Sequence, residues 1–136
     1  MDLSAAMSVA ASGMAAQSER IKIISQNIAN ADSTATQPGQ DPYRRMQVTF
    51  KNVYDSTIGA NVVKVAAVTP DMSDFRQKYD PTHPAADTNG YVTLPNVNTI
   101  VETADLREAQ RSYEASLSAM DLVKSVAMTT ISGIRG

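Results

Sequence analysis

The chain has one histidine, His83, in the run Tyr79-Asp80-Pro81-Thr82-His83-Pro84-Ala85-Ala86-Asp87-Thr88-Asn89-Gly90-Tyr91. Asp80, His83 and Asp87 are ligand types that could hold a metal, which would make a metallohydrolase centred on His83. Clusters that bind metal usually offer more than one imidazole, and no second His exists here. Pro81 and Pro84 stiffen the segment toward extended structure, and Asn89-Gly90 supplies a tight turn. The residues therefore read as a structural loop, with no metal expected. The absence of Cys excludes disulfides, thiolate catalysis and Cys-based zinc sites. There is no Gly-rich phosphate loop, no Ser in a strained elbow and no paired His. The carboxylates lie on helices or in turns, with nothing to bring two into one cleft. The expectation is a protein that is not an enzyme and holds no cofactor.

Composition narrows the partners. The 12 basic and 14 acidic residues are intermixed and give a net charge of -2, without the basic face that nucleic-acid binding needs. No apolar run approaches the roughly 20 residues of a membrane span, so no membrane insertion is expected. The length of 136 residues suits one domain with a small inserted lobe. Two Phe, five Tyr and no Trp are few for a compact core. The apolar supply is Ala, Val, Ile and Met, mainly along two terminal segments, which points to burial by helix–helix contact, in part between subunits.

Those segments organise the chain. Leu3, Met7, Ala10, Met14, Gln17, Ile21, Ile24 and Ile28 follow one another at spacings of four and three, the a/d seam of a heptad pattern with Gln17 its only polar member. Leu106, Ala109, Tyr113, Ser116, Met120, Val123, Ala127, Thr130 and Ile134 repeat the pattern, widened by Leu117 and Ile131. Asp2 or Ser4 can cap the first helix. Gly13 costs it about 1 kcal/mol relative to Ala, yet with Ala10, Ala11, Ala15 and Ala16 it makes a narrow face open to close approach by another helix. The only early charge is Asp2, so Met1 to Ala16 lacks the basic n-region of a Sec signal peptide, and cleavage would cut the seam in half. The polar face carries only Glu19, Arg20 and Lys22, so the helix is expected to be covered on more than one side.

Between the helices the period changes. Ser25-Gln26-Asn27-Ile28-Ala29-Asn30 ends the first helix, read either as a cap with Asn30 left-handed or as amides of Asn27 and Asn30 bonding to a partner or the returning chain. Ser33 to Pro42 is loop. Met46, Val48 and Phe50 alternate with polar residues as one strand, Asn61 to Val68 forms a second and Gly90 to Leu94 a third, ended by Pro95. The fold class is α+β: long N- and C-terminal helices pairing as a coiled coil, with a loop-rich β lobe between them. Residues 1–30 with 100–136 form a discontinuous helical domain, and 31–99 the inserted lobe. Arg111 and Tyr113, on a helix of otherwise small residues, are either contact anchors or a solvated Arg beside a core Tyr.

Three of these segments together resemble one family, the flagellar basal-body rod proteins of the bacterial rod–hook group. Ser25-Gln26-Asn27-Ile28-Ala29-Asn30, after its heptad helix, is similar to the family's Asn-(Ile/Leu)-Ala-Asn signature. Arg111-Ser112-Tyr113-Glu114-Ala115 is similar to its Arg-x-Tyr-x-Ala-Asn element, with Ser116 where Asn is usual. The loop from Tyr79 to Val92, leading to Pro95-Asn96-Val97, resembles a proximal-rod member. Asn98 stands where Asp is common, and Pro38-Gly39 with a late Tyr43 replaces a tight Thr-x-Gly-Tyr.

The resemblance implies a structural subunit of the proximal rod that polymerises helically into the drive shaft carrying torque from motor to hook. It implies export through the flagellar type III apparatus without a cleaved signal, and a place in the basal body across the periplasm. The implied partners are other rod proteins of the family, copies of itself, the membrane-ring end of the motor and the surrounding ring. The expected assembly residues are Leu3, Met7, Ala10, Gly13, Met14, Ile21, Ile24, Asn27, Ile28 and Asn30 of the first helix. Arg111, Tyr113, Met120, Val123, Ala127 and Ile131 are those of the second. The alternative is a coiled-coil adapter or secreted effector that binds one partner.

Overall fold

The computed structural model describes residues 2–135, without the side chain of Arg135. Met1 and Gly136 of the expected helical domain lie outside the described residues. Helix α1 spans Leu3–Ala29, starting where Asp2 Oδ1 accepts the backbone N–H of Ala5 at 2.6 Å. The free N–H groups of a first turn need such an acceptor. The helix stops at Asn30, whose side-chain Nδ2 donates to the Gln26 carbonyl at 2.9 Å. Among the described residues only glycines take a positive φ, so Asn30 is not left-handed. Its amide closes the helix end instead.

Strands β1 (Met46–Asp55) and β2 (Ala60–Pro70) form a two-stranded hairpin, and β3 (Arg76–Tyr79) and β4 (Tyr91–Leu94) form a second, antiparallel pair. The register of the second sets Tyr79 opposite Tyr91 and Arg76 opposite Leu94. The Tyr79 and Tyr91 rings meet edge to face at 5.4 Å, a favourable aromatic geometry. Gly90 requires its residue type: φ is +86°, and a Cβ there would lie 2.8 Å from the Tyr79 ring. The expected third strand is thus β4. Its partner Arg76–Tyr79 is absent from the sequence reading because all four residues are exposed and carry no apolar alternation. Helix α2 spans Thr99–Arg135, capped by Asn98 Oδ1, which accepts from Ile100 N–H at 3.1 Å.

The chain separates into two compact units, Met1–Ile21, Thr49–Ala67, Arg107–Gly136 and Lys22–Val48, Val68–Leu106. This division cuts across both helices and the first hairpin, where the sequence placed its boundaries at 30/31 and 99/100. The reason lies in the hairpin tip. Val63 donates its backbone N–H to Ser12 Oγ at 3.2 Å, so residues 49–67 pack with the helices in the first unit.

Within that first unit α1 and α2 run antiparallel. Arg20 meets Glu108 at 3.7 Å, and Gly13 lies against Ser116. On α2 the heptad face is the covered one: Ala109 is fully buried, and Tyr113, Ser116, Met120, Val123 and Ala127 are half-buried; on α1 the buried residues of this unit, Ala5 and Ala16, lie beside the expected seam, whose Met7, Ala10, Met14, Gln17 and Ile21 are half-buried. On α1 within this unit, Ala11, Ala15 and Ser18 are left exposed as a narrow stripe, so the helix is covered on more than one side. Ala16 is buried, and a Cβ on Gly13 would stand 2.9 Å from Ser116 Oγ. The small residues expected to face a neighbouring molecule are therefore partly consumed inside the subunit, because β2 and α2 both close on them.

The Gly13–Ser116 contact makes a measurable pair. Gly13→Ala gains helix propensity but drives its methyl into Ser116 Oγ, whereas with Ser116→Ala the nearest remaining atom is at 3.8 Å. A double-mutant cycle followed by urea denaturation is expected to give a favourable coupling of about 0.5–1 kcal/mol between the two changes. Strict additivity would remove the contact from the account.

Candidate assembly site

The second unit is built around one amide. Asn27 is 1% exposed and projects from the last turns of α1 at the returning chain. Its Nδ2 donates to the Met46 carbonyl at 2.7 Å, and its Oδ1 accepts the Met46 N–H at 2.9 Å. The side chain thus pairs with both backbone groups of Met46, as a neighbouring strand would. Oδ1 also accepts from Tyr43 Oη at 2.7 Å, and Nδ2 reaches Glu102 Oε2 at 3.4 Å. Of the two readings of the Asn27–Asn30 segment, Asn27 follows the returning chain and Asn30 the helix end.

Glu102 is as buried as Asn27, at 1% exposure. A buried carboxylate must be paired or hydrogen-bonded to be tolerated. Arg45 Nε donates to Glu102 Oε1, its Nη1 donates to Asp71 Oδ2 at 3.1 Å, and its Nη2 lies 4.0 Å from Asp105 Oδ2. The backbone of Arg45 is fixed as well: its N–H donates to Asn96 Oδ1 and its carbonyl accepts from Asp71 N–H, both at 2.8 Å. Asn96 Nδ2 in turn donates to the Asp71 carbonyl at 2.9 Å. One guanidinium thus ties the first turns of α2 to the start of β1 and the end of β2.

The electrostatics follow the contacts. Burial and the Glu102 charge push the Tyr43 hydroxyl above its ordinary pKa, so it stays a donor to Asn27. The Ser73 backbone N–H, then its side chain and Arg45, hold the Asp71 carboxyl below its ordinary value. Burial opposes the Arg45 charge, but Glu102 and Asp71 outweigh it and raise its pKa further.

His83 is occupied structurally. Its Nδ1 accepts the Ala85 N–H at 3.0 Å, which leaves the proton on Nε2, facing Thr34 Oγ1 at 3.2 Å. Among the described residues no three His, Cys, Asp or Glu side chains are grouped to hold a metal.

In the first unit, of the residues expected at the assembly site, Met7, Ala10, Gly13, Met14 and Ile21 are half-buried, as are Tyr113, Met120, Val123 and Ala127. Leu3 and Arg111 are exposed, and Ile131 is 51% exposed. In the second unit Ile24 and Asn27 are buried while Ile28 and Asn30 are half-buried. The exposed apolar side chains concentrate on α2: Ile100, Val101, Leu117, Leu122, Val126, Met128, Ile131 and Ile134.

The family description "Flagella basal body rod protein" matches residues 7–35, and "Flagellar basal body rod FlgEFG protein C-terminal" matches 88–132. The first covers the Asn27–Asn30 segment and the second most of α2. The chain is similar to "Flagellar basal-body rod protein FlgC" of Agrobacterium fabrum, 50% identical over 129 residues, covering 95% of this chain and 93% of that one. Proteins of the same name from Salmonella typhimurium and Bacillus subtilis are each 39% identical, over 123 and 140 residues. These matches cover 90% and 92% of this chain, and 91% and 93% of theirs. The chain belongs to the FlgC family of flagellar basal-body rod proteins.

Two departures from the family pattern now have a physical reading. Ser116, where Asn is usual, is the small side chain that faces Gly13. The longer loop before Tyr43 closes on itself, Tyr43 N–H donating to the Ser33 carbonyl at 3.0 Å, and still delivers the Tyr43 hydroxyl to Asn27. Arg45, Asp71, Asn96 and Glu102 stand far apart in sequence, and only the fold groups them. The one local signal was an acidic residue, Glu102, in the first turn of α2.

Removing Arg45 strands the Glu102 charge. Arg45→Met is expected to destabilise the fold by about 3–5 kcal/mol, as for breaking a buried pair. Adding Glu102→Gln to that variant should recover a large part of the loss, because the uncompensated charge goes with it. Thermal unfolding of the two variants measures this, and an equal loss in both would show that the stranded Glu102 charge is not its cause.

Proposed function

We propose that the protein is a structural subunit of the proximal rod, polymerising helically with other rod proteins of its family and with copies of itself into the shaft that carries torque from motor to hook. The observation that carries this reading is similarity to rod proteins over nearly the whole length of both chains. The exposed large apolar side chains of α2, such as Leu122, Met128 and Ile131, support it, since exposed apolar surface on a folded chain can mark interaction sites. The adapter reading is not favoured, because the likeness spans both helices and the residues between them.

The finer parts of the proposal follow the family. The rod crosses the periplasm, the subunit reaches it through the type III export apparatus without signal cleavage, and its neighbours include the motor's membrane-ring end and the surrounding ring. Met7, Ala10, Met14, Met120, Val123 and Ala127 hold the helix pair in its assembling form, while Leu3, Arg111 and Ile131 meet neighbours. Chemistry is no part of this function, and no cofactor enters it.

Deleting residues 1–20 separates folding from assembly. The deletion falls inside the first compact unit and leaves Lys22–Val48, Val68–Leu106 whole. The truncated protein is expected to remain a soluble β-containing monomer but to be missing from purified basal bodies, with loss of motility. Incorporation at the level of the intact chain would contradict the proposal.

A further inference from the structure

The loop that joins β3 to β4 places an asparagine directly before a glycine. Asn89 is exposed, and its side chain makes no hydrogen bond among the described residues. Every other asparagine precedes a residue with a side chain: Ile28, Ala31, Val53, Val62, Val97 or Thr99. Asparagine is thermolabile because the backbone nitrogen of the next residue can attack its side-chain carbonyl carbon. A side chain on that next residue obstructs the approach, and Gly90 offers no obstruction. The fold cannot exchange Gly90 for a bulkier residue, since φ is +86° and a Cβ would lie 2.8 Å from the Tyr79 ring.

One residue holds the attacking group in check. Asp87 Oδ1 accepts the Asn89 N–H at 2.8 Å and the Tyr91 N–H at 2.9 Å. The Asp87 carbonyl accepts the Gly90 N–H at 3.0 Å. Asp87 thus captures three consecutive amides, and the middle one is the nitrogen that would attack. The Asp87 N–H donates in turn to the Tyr91 carbonyl, and the Asp80 N–H to the Gly90 carbonyl, both at 2.9 Å. Both peptide groups of Gly90 are therefore fixed. To reach Asn89 Cγ, its nitrogen must give up its hydrogen bond and turn away from Asp87.

We infer that Asn89–Gly90 is a site of spontaneous deamidation in the unfolded chain, and that Asp87 closes it on folding. In the reaction the Gly90 nitrogen bonds to Asn89 Cγ, closing a succinimide ring. The side-chain nitrogen leaves as ammonia, carrying the proton that Gly90 gives up. Water then adds to either ring carbonyl and opens the ring, leaving aspartate or isoaspartate at 89 without any oxidant or reductant. Isoaspartate carries the backbone through the side-chain carbon and lengthens the connection by a methylene. A lengthened connection displaces Tyr91 from its place opposite Tyr79. The site lies within one loop of one chain, so it stands or falls apart from the rod-subunit reading.

Peptide mapping by mass spectrometry tests the site on the full chain, incubated at neutral pH in buffer and in urea. In urea, deamidation is expected at Asn89 ahead of the other asparagines, and to vanish from that peptide in Asn89→Gln. In buffer it is expected to slow by at least the protection factor of the Gly90 amide in hydrogen exchange, because cyclisation needs the same local opening. Asp87→Ala removes two hydrogen bonds to a carboxylate and is expected to speed the reaction in buffer by about tenfold or more. Asp87→Asn keeps the acceptor oxygen and is expected to stay close to the native rate. Should Asp87→Ala fail to fold, the comparison of deamidation with Gly90 exchange in the native chain decides alone. Deamidation in urea led by a different asparagine would overturn the site. A folded native chain that deamidates faster than Gly90 exchange allows, or a folded Asp87→Ala as slow as the native chain, would overturn the role of Asp87.

Discussion

The second compact unit depends on the buried carboxylate of Glu102 and the groups that neutralise it. A charge excluded from water is tolerable only if each oxygen has a partner. Arg45 holds one Glu102 oxygen and Asn27 the other. Meeting those demands fixes where α1 ends, where β1 begins and where α2 starts, because Asn27, Arg45 and Glu102 belong to those three places. Asp71 and Asn96 then fasten the segment after β2 and the approach to α2 to the same point. A polar knot of this kind specifies one arrangement, since a slip by one residue would leave Met46, Tyr43 and Glu102 all unsatisfied.

The first unit works by different physics. Its helices approach closely at small residues, Gly13 against Ser116, with the Arg20–Glu108 ion pair and the Val63 N–H to Ser12 Oγ hydrogen bond beside them.

The legible parts of the fold were those with a period. The heptad spacing marked the two helices and, on α2, the covered face from Leu106 to Ala127, and the alternation at Met46, Val48 and Phe50 marked β1. β3 escaped because Arg-Gln-Lys-Tyr alternates nothing, its place being set by pairing with β4 and by Arg76 donating to the Pro95 carbonyl at 3.0 Å. The Asn27 signature was visible, but not its target, since pairing with Met46 depends on how the 33–43 loop closes. Arg45 and Glu102 stand 57 residues apart in the sequence. Only the fold brings them together.

Amide hydrogen exchange at Met46 tests the central claim most directly. The Met46 N–H has a side-chain acceptor, Asn27 Oδ1, and opens only when the knot opens. The account predicts slow exchange at Met46 in the intact chain and fast, loop-like exchange in Asn27→Ala, with β4 amides such as Val92 far less affected. Loop-like exchange at Met46 in the intact chain would contradict it.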